Sequence, residues 1–182
     1  MGFRSISRGG VGWRLYGRLD STQDEAWRWL ETDPPPSGSL VLAFRQTAGR
    51  GRLGRDWQSP PGGLWFSILL YPVPSVQAGG LLLAAAYQLA DSVFRLTGRR
   101  PAVKLPNDLY LESRKLAGLL LERRGDRVVL GIGLNVNCSI QSRAGNFKAI
   151  SLRETVGVRC SRQRILDDFL AGFQRRLPGR FF

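Results

Sequence analysis

Trp13, Leu15, Gly17 and Leu19 alternate with Arg14, Tyr16 and Arg18, an imperfect period of two that predicts a half-buried strand over residues 12–19. Asp20, Ser21 and Thr22 then offer short polar caps before a helix over 23–30. Its first turn holds Asp24 and Glu25, where negative charge is favourable, and Ala26, Trp27 and Leu30 supply a buried stripe. A proline-rich connector at 32–39 leads to a strand at 40–44. The apolar stretch 64–71 predicts a core strand, and dense Leu and Ala from 76 to about 96 predict one long buried helix. Val103 opens another short strand. Residues 109–111 and 116–122 read as hairpin arms around a polar tip at 112–115, which by itself would place Lys115 in solvent. Residues 128–137 predict a central strand, where Gly131 and Gly133 permit either close packing or ligand approach. Ser151 and Glu154 have capping-box spacing for a short helix to 156. Ile165, Leu166, Phe169, Leu170, Phe173 and Leu177 form the stripe of a last helix over 161–177, stopped by Pro178 and Gly179. Phe181 and Phe182 are expected to pack on the core.

At 182 residues the chain can build one substantial core. Its longest apolar run, 78–90, is broken by Gly79, Gly80 and Gln88 and is too short for a membrane span. No secretory or myristoylation signal opens the chain, so a cytoplasmic location is the expectation. Cys138 and Cys160 form no C-x-x-C pair and are expected to be isolated thiols. Histidine is absent, which removes Ser-His-Asp and Cys-His catalysis and the histidine-based zinc motifs. The chemistry must run on lysine, arginine, carboxylates, hydroxyls, backbone donors or a bound metal. The formal net charge of +13 implies attraction to anions.

Two polar blocks interrupt this pattern. Directly after the strand at 40–44, residues 45–57 set Arg50, Arg52 and Arg55 among Gly49, Gly51 and Gly54 and end on Trp57. Glycine allows close backbone approach, and arginine supplies a permanent charge with a fork of donors suited to phosphate or carboxylate. The segment reads as an anion-handling loop, yet neither a P-loop nor a dinucleotide fingerprint is present. The second block is Lys104-Leu105-Pro106-Asn107-Asp108, followed by Arg114-Lys115-Leu116-Ala117-Gly118.

Together with Ser21-Thr22-Gln23 and Gly131-Ile132-Gly133-Leu134-Asn135, these blocks resemble, in order, the catalytic domain of biotin–protein ligases, also called biotin–[acetyl-CoA-carboxylase] ligases. The resemblance implies an α+β fold, a mixed and mostly antiparallel β-sheet flanked by α-helices. It implies that biotin and MgATP form biotinyl-5'-AMP, which a lysine of a biotin carboxyl carrier domain then attacks. It assigns Ser21, Thr22, Gln23, Gln46, Arg50, Gly51, Arg52, Lys115 and Gly118 to biotin, and Arg50, Arg52, Arg55, Trp57, Lys115 and Asn135 to the adenylate. Lys115, Asp108 and Arg52 become the catalytic candidates, and no protein metal cage is expected. Gln23 stands where asparagine is frequent in the family, and Leu105 replaces the family's tryptophan. Residues 1–182 are expected to form a single catalytic domain with no N-terminal winged helix and no complete C-terminal β-domain. Neither a specific DNA site nor membrane binding is therefore expected, and open sheet edges allow a homodimer. A lipoate or octanoate transferase of the same fold is the enzymatic alternative. A noncatalytic module binding biotinyl-AMP or nucleic acid is the other.

Overall fold

Among the described residues (3–8, 10–140 and 148–177), eight strands form one sheet in the computed structural model. In chain order the elements are β1 (Phe3–Arg8), β2 (Val11–Tyr16), α1 (Thr22–Thr32), β3 (Leu40–Ala43), β4 (Leu64–Leu70), α2 (Ala78–Thr97), β5 (Ala102–Lys104), β6 (Asp108–Leu111), β7 (Arg114–Arg124), β8 (Arg127–Leu134), α3 (Leu152–Val156) and α4 (Arg162–Arg176). The strands lie in the order β1-β2-β3-β4-β8-β7-β6-β5. Every neighbouring pair is antiparallel except β2 and β3. That one parallel pair needs a crossover, and α1 supplies it. The mixed, mostly antiparallel sheet of the sequence reading is the one observed.

Helices cover both faces. On one, Ala26, Trp27, Trp29 and Leu30 of α1 meet Val41, Leu69 and Val129. On the other, Leu81, Ala85, Leu89 and Val93 of α2 pack with Ile165, Leu166, Phe169 and Phe173 of α4 over Phe66, Ile68, Leu130 and Ile132. Covered on both sides, β4 is buried at every position, which is why its sequence runs apolar with little alternation. The one hydroxyl in that run, Ser67, points to the α1 face with Leu69. The start of α1 is capped by Ser21, whose side chain accepts from the Asp24 N–H at 3.3 Å. Its flank is tied to β2 through Glu25, which lies 3.0 Å from Arg14 and 2.5 Å from the Tyr16 hydroxyl. Burial and this carboxylate push the Tyr16 hydroxyl well above its ordinary pKa.

Two differences from the sequence reading matter. The strand β1 was not anticipated: its residues Phe3 to Ser7 are all exposed, so no buried face marks it in the sequence. The hairpin tip closes at Glu112 and Ser113 alone, with φ of 50° and 59°. Positive φ at both central residues is the two-residue hairpin geometry, so β7 begins at Arg114 and contains Lys115. Lys115 is thus a strand residue with only 12% of its side chain exposed. Leu105 is 66% exposed and packs little beside Asp108. The capping box at Ser151 and Glu154 is present as expected. The expected contacts of Pro178, Gly179, Phe181 and Phe182 lie outside the described residues. Among the described residues, no helix is long and apolar enough to cross a membrane.

Candidate active site

Side chains in register on neighbouring strands share a face, and this places the floor of the site. Gly118, Leu120 and Glu122 of β7 stand opposite Gly133, Gly131 and Val129 of β8. Trp65, Ser67 and Leu69 of β4 continue the same three rows. Beside the N-terminus of α1, a cavity of about 480 Å³ opens over this face. Its wall includes Ser21, Thr22, Gln23, Gln46, Arg50, Gly51, Arg52, Arg55, Trp57, Asp108, Lys115, Gly118 and Asn135, so all the candidate residues meet in one place.

A β-bulge brings the two chemical residues of the β6–β7 hairpin onto that face. Leu109 pairs with Ala117, but Tyr110 pairs with Lys115, so Leu116 is the extra residue. In a regular strand Lys115 and Gly118, three positions apart, would point to opposite sides; with the bulge both share the face of Asp108. Lys115 Nζ lies 2.6 Å from Asp108 Oδ2 and 5.2 Å from the centre of the Trp57 ring.

The turn before α1 forms a hydrogen-bonded end to the cavity. Gln46 Oε1 accepts from the Thr22 N–H at 2.7 Å and the Thr22 hydroxyl at 3.0 Å, while Gln46 Nε2 donates to Ser59 Oγ. Ser67 Oγ lies 3.0 Å from Thr22 Oγ1 and 3.1 Å from Gln23 Oε1. Gln23 Nε2 donates to the Val129 carbonyl and to Glu122. Ser67 escaped the sequence reading. The signal was there, as a hydroxyl in an otherwise apolar core strand. Glu122 was missed too, and no local pattern marks it; Asn107 lies inside the Lys104–Asp108 block but was given no role of its own.

The glycine–arginine loop folds over the mouth. The Trp57 backbone N–H donates to the Gly49 carbonyl and the Gly51 N–H to that of Arg55, pairing the two arms of the loop around the Arg50–Asp56 bridge. Arg52 Nη1 reaches Asn107 Oδ1 at 3.2 Å. The Trp57 indole lies against the sheet, edge-on to Trp65. A Cβ added at Gly133 would lie 2.4 Å from its Nε1, and one at Gly118 2.9 Å from its ring. Gly131 makes room for Gln23 in the same way, at 2.4 Å. These glycines serve the packing of pocket side chains. Gly133→Ala is expected to cost about 1–3 kcal/mol as overpacking, and clearly less in a Trp57→Ala background. Urea unfolding of the four proteins measures this; equal costs in both backgrounds would assign Gly133 to strand pairing alone.

Arg50 is placed differently from Arg52. Its guanidinium is taken up by Asp24 and Glu122. Burial pushes the Glu122 carboxyl up, but hydrogen bonds from Arg50, Trp27 and Gln23 outweigh it and leave it below the ordinary glutamate range. By contrast, Trp57 Nε1, Asp108 Oδ1 and Asn135 Oδ1 are buried and meet no hydrogen-bond partner among the described residues. All three residues line the cavity. Buried polar atoms are costly to leave unpaired; Trp57 Nε1 is turned to the sheet at Gly133, while the Asp108 and Asn135 side chains leave acceptor oxygens that suit a polar ligand. Asn135 is fixed from behind by donation to the Ile150 carbonyl at 3.1 Å.

Comparison with known proteins agrees with this geometry. Residues 15–139 match the model of the biotin/lipoate A/B protein ligase family. The bifunctional ligase/repressor BirA of Bacillus subtilis is 34% identical over 167 residues, covering 87% of this chain and 51% of the relative. This chain thus spans about half the length of that protein. The biotin–[acetyl-CoA-carboxylase] ligase of Paracoccus denitrificans is 35% identical over 173 residues, covering 88% of this chain and 71% of the relative. Among solved structures, the biotin protein ligase of Aquifex aeolicus in complex with biotin and ATP superposes with a TM-score of 0.80 at 32% identity, over 90% of this chain and 68% of that one.

Proposed function

The chain belongs to the biotin/lipoate A/B protein ligase family, with the biotin–protein ligases, and from this we propose that it is a catalytic domain joining biotin to a carrier-protein lysine through biotinyl-5'-AMP. The observation that carries the reading is the single cavity that gathers the Ser21-Thr22-Gln23 turn, the glycine–arginine loop, Asp108, Lys115, Gly118 and Asn135.

In the first step a biotin carboxylate attacks the α-phosphate of ATP, and two anions must approach each other. Lys115 and Arg52, both lining the cavity, supply positive charge to stabilise what develops on the phosphoryl oxygens. The unpartnered oxygens of Asp108 and Asn135 are hard donors that fit Mg²⁺, whose remaining ligands would come from phosphates and water. When bound, the ion supplies further neutralisation of phosphate charge. The buried side chains of Ser21, Thr22 and Gln23, with the half-buried amide of Gln46, form the end of the cavity that holds biotin. Trp57, with its unpartnered Nε1, and the side chains of Arg52 and Arg55 line the adenylate end. The product of step one is already an activated mixed anhydride, so no covalent enzyme intermediate is needed. In step two Asp108 orients or deprotonates the incoming lysine. The loop excludes water that would otherwise hydrolyse the adenylate.

The partner is a biotin carboxyl carrier domain, as in an acetyl-CoA carboxylase. The net charge of +13 favours an acidic partner and makes its encounter salt-sensitive. Incubation with biotin, ATP, Mg²⁺ and such a carrier domain, followed by intact-mass analysis, tests both half-reactions. A biotin-dependent mass gain on the carrier is expected. No gain with biotin, but one with lipoate, would move the protein to the lipoate branch; pyrophosphate release without carrier modification would leave an adenylate-forming module.

A further inference from the structure

The guanidinium of Arg50 is taken up by two carboxylates of the protein itself. Its Nε and Nη2 donate to Asp24 Oδ1 at 3.0 and 2.7 Å, and its Nη1 and Nη2 donate to the two oxygens of Glu122, the latter at 2.9 Å. Five N–H donors are all a guanidinium has, and two carboxylates already engage each of its nitrogens. Together the three side chains carry one net negative charge, which repels phosphate.

Each carboxylate sits on a different rigid element. Asp24 is in the first turn of α1, anchored by the Ser21 cap. Glu122 is on β7, and its Oε2 also accepts from Trp27 Nε1 at 2.8 Å and Gln23 Nε2 at 3.2 Å. Its orientation is thus set by α1 before Arg50 arrives. Arg50 itself lies between Gly49 and Gly51, in a loop whose own regular structure is one bridge from Arg50 to Asp56 and a single 3-10 turn over Arg52–Gly54. We propose that Asp24 and Glu122 are positioning residues that act through Arg50 as a latch, fastening the glycine–arginine loop over the cavity and so retaining the acyl-adenylate between the two half-reactions. The retention part rests on the proposed ligase function; the fastening part does not.

The three side chains are partly exposed, at 30% for Arg50, 41% for Asp24 and 27% for Glu122, so the latch can open into solvent and added salt weakens it. It is a releasable contact. A fully buried pair would hold the loop shut at a far larger cost of opening.

The test compares the unmodified protein with Asp24→Asn, Glu122→Gln and the double variant, amides that keep shape but remove charge. Without any ligand, amide hydrogen exchange over residues 46–57 should speed up roughly tenfold or more in the double variant, the size expected for losing charge-assisted hydrogen bonds. Exchange in β4 and β8 should stay unchanged. Restoring the carboxylate with Glu122→Asp should recover part of the protection. Unchanged exchange in the loop, or equal acceleration in the loop and in β4 and β8, would overturn the latch. With biotin and ATP, biotinyl-AMP should leave the double variant roughly tenfold faster while its rate of formation changes little. Equal release rates would overturn the retention role. Should the unmodified protein form no adenylate at all, the ligase reading fails, while the exchange result still decides whether the latch exists.

Discussion

Lys115→Ala is expected to slow biotinyl-AMP formation about 100-fold, a loss of roughly 3 kcal/mol of transition-state stabilisation. The side chain is largely enclosed, with Asp108 at 2.6 Å on one side and the face of Trp57 on the other. A cation held in that geometry needs little reorganisation when charge develops on a phosphoryl oxygen, and its loss cannot be made good by solvent. The substitution also leaves Asp108 facing the cavity without its countercharge, which adds to the repulsion of phosphate. Asp108→Asn should act elsewhere. It keeps shape but removes the group that receives or orients the attacking lysine, so transfer from preformed biotinyl-AMP should fall more than adenylate formation. Single-turnover measurement of each half-reaction separates the two. Unimpaired adenylate formation in Lys115→Ala, or unimpaired transfer in Asp108→Asn, would remove that residue from its role.

Phe169→Ala is expected to destabilise the fold by about 3–5 kcal/mol, the range for removing a buried aromatic side chain. Phe169 is fully buried, stacks on Phe173 at 5.3 Å and meets Phe66 of β4 edge-on at 5.7 Å. It is the ring through which α4 grips the sheet, and the helix bringing it there also packs against α2, where Gly172 lies directly against Gln88. Truncation leaves a hole bounded by a strand that is itself immovable between two helix layers. Urea unfolding reads the loss. Because α4 lies on the face of the sheet away from the cavity, biotin affinity of the folded fraction should be unchanged. A cost below about 1 kcal/mol would show that the site collapses around the smaller side chain.

Much of this architecture was legible residue by residue. The caps at Ser21 and Ser151 and the apolar stripes of α2 and α4 correspond to observed helices, because capping and amphipathic burial are local or periodic properties. The nearly continuous apolar run of β4 marked a core strand for the same reason. Strand β1 was not legible, since a strand exposed along its length has no buried face to impose a period. The hairpin tip was misplaced because Glu112 and Ser113 adopt positive φ without the glycine or asparagine that usually announces it.

The sequence by itself determined which chemistry is available here: no histidine, a glycine–arginine loop, and a lysine and an aspartate in recognisable blocks. Residue types and short spacings are enough for that. Only the tertiary structure decided how those groups are paired. The Leu116 bulge, visible solely as a shift in strand register, turns Lys115 and Gly118 onto the face of Asp108. The meeting of α1 and β7 places Asp24 and Glu122 on Arg50, which separates it from Arg52 although both are loop arginines two residues apart. Charge partners contributed by distant elements leave no local trace, because the energy that selects them exists only once the sheet has brought those elements within hydrogen-bond reach.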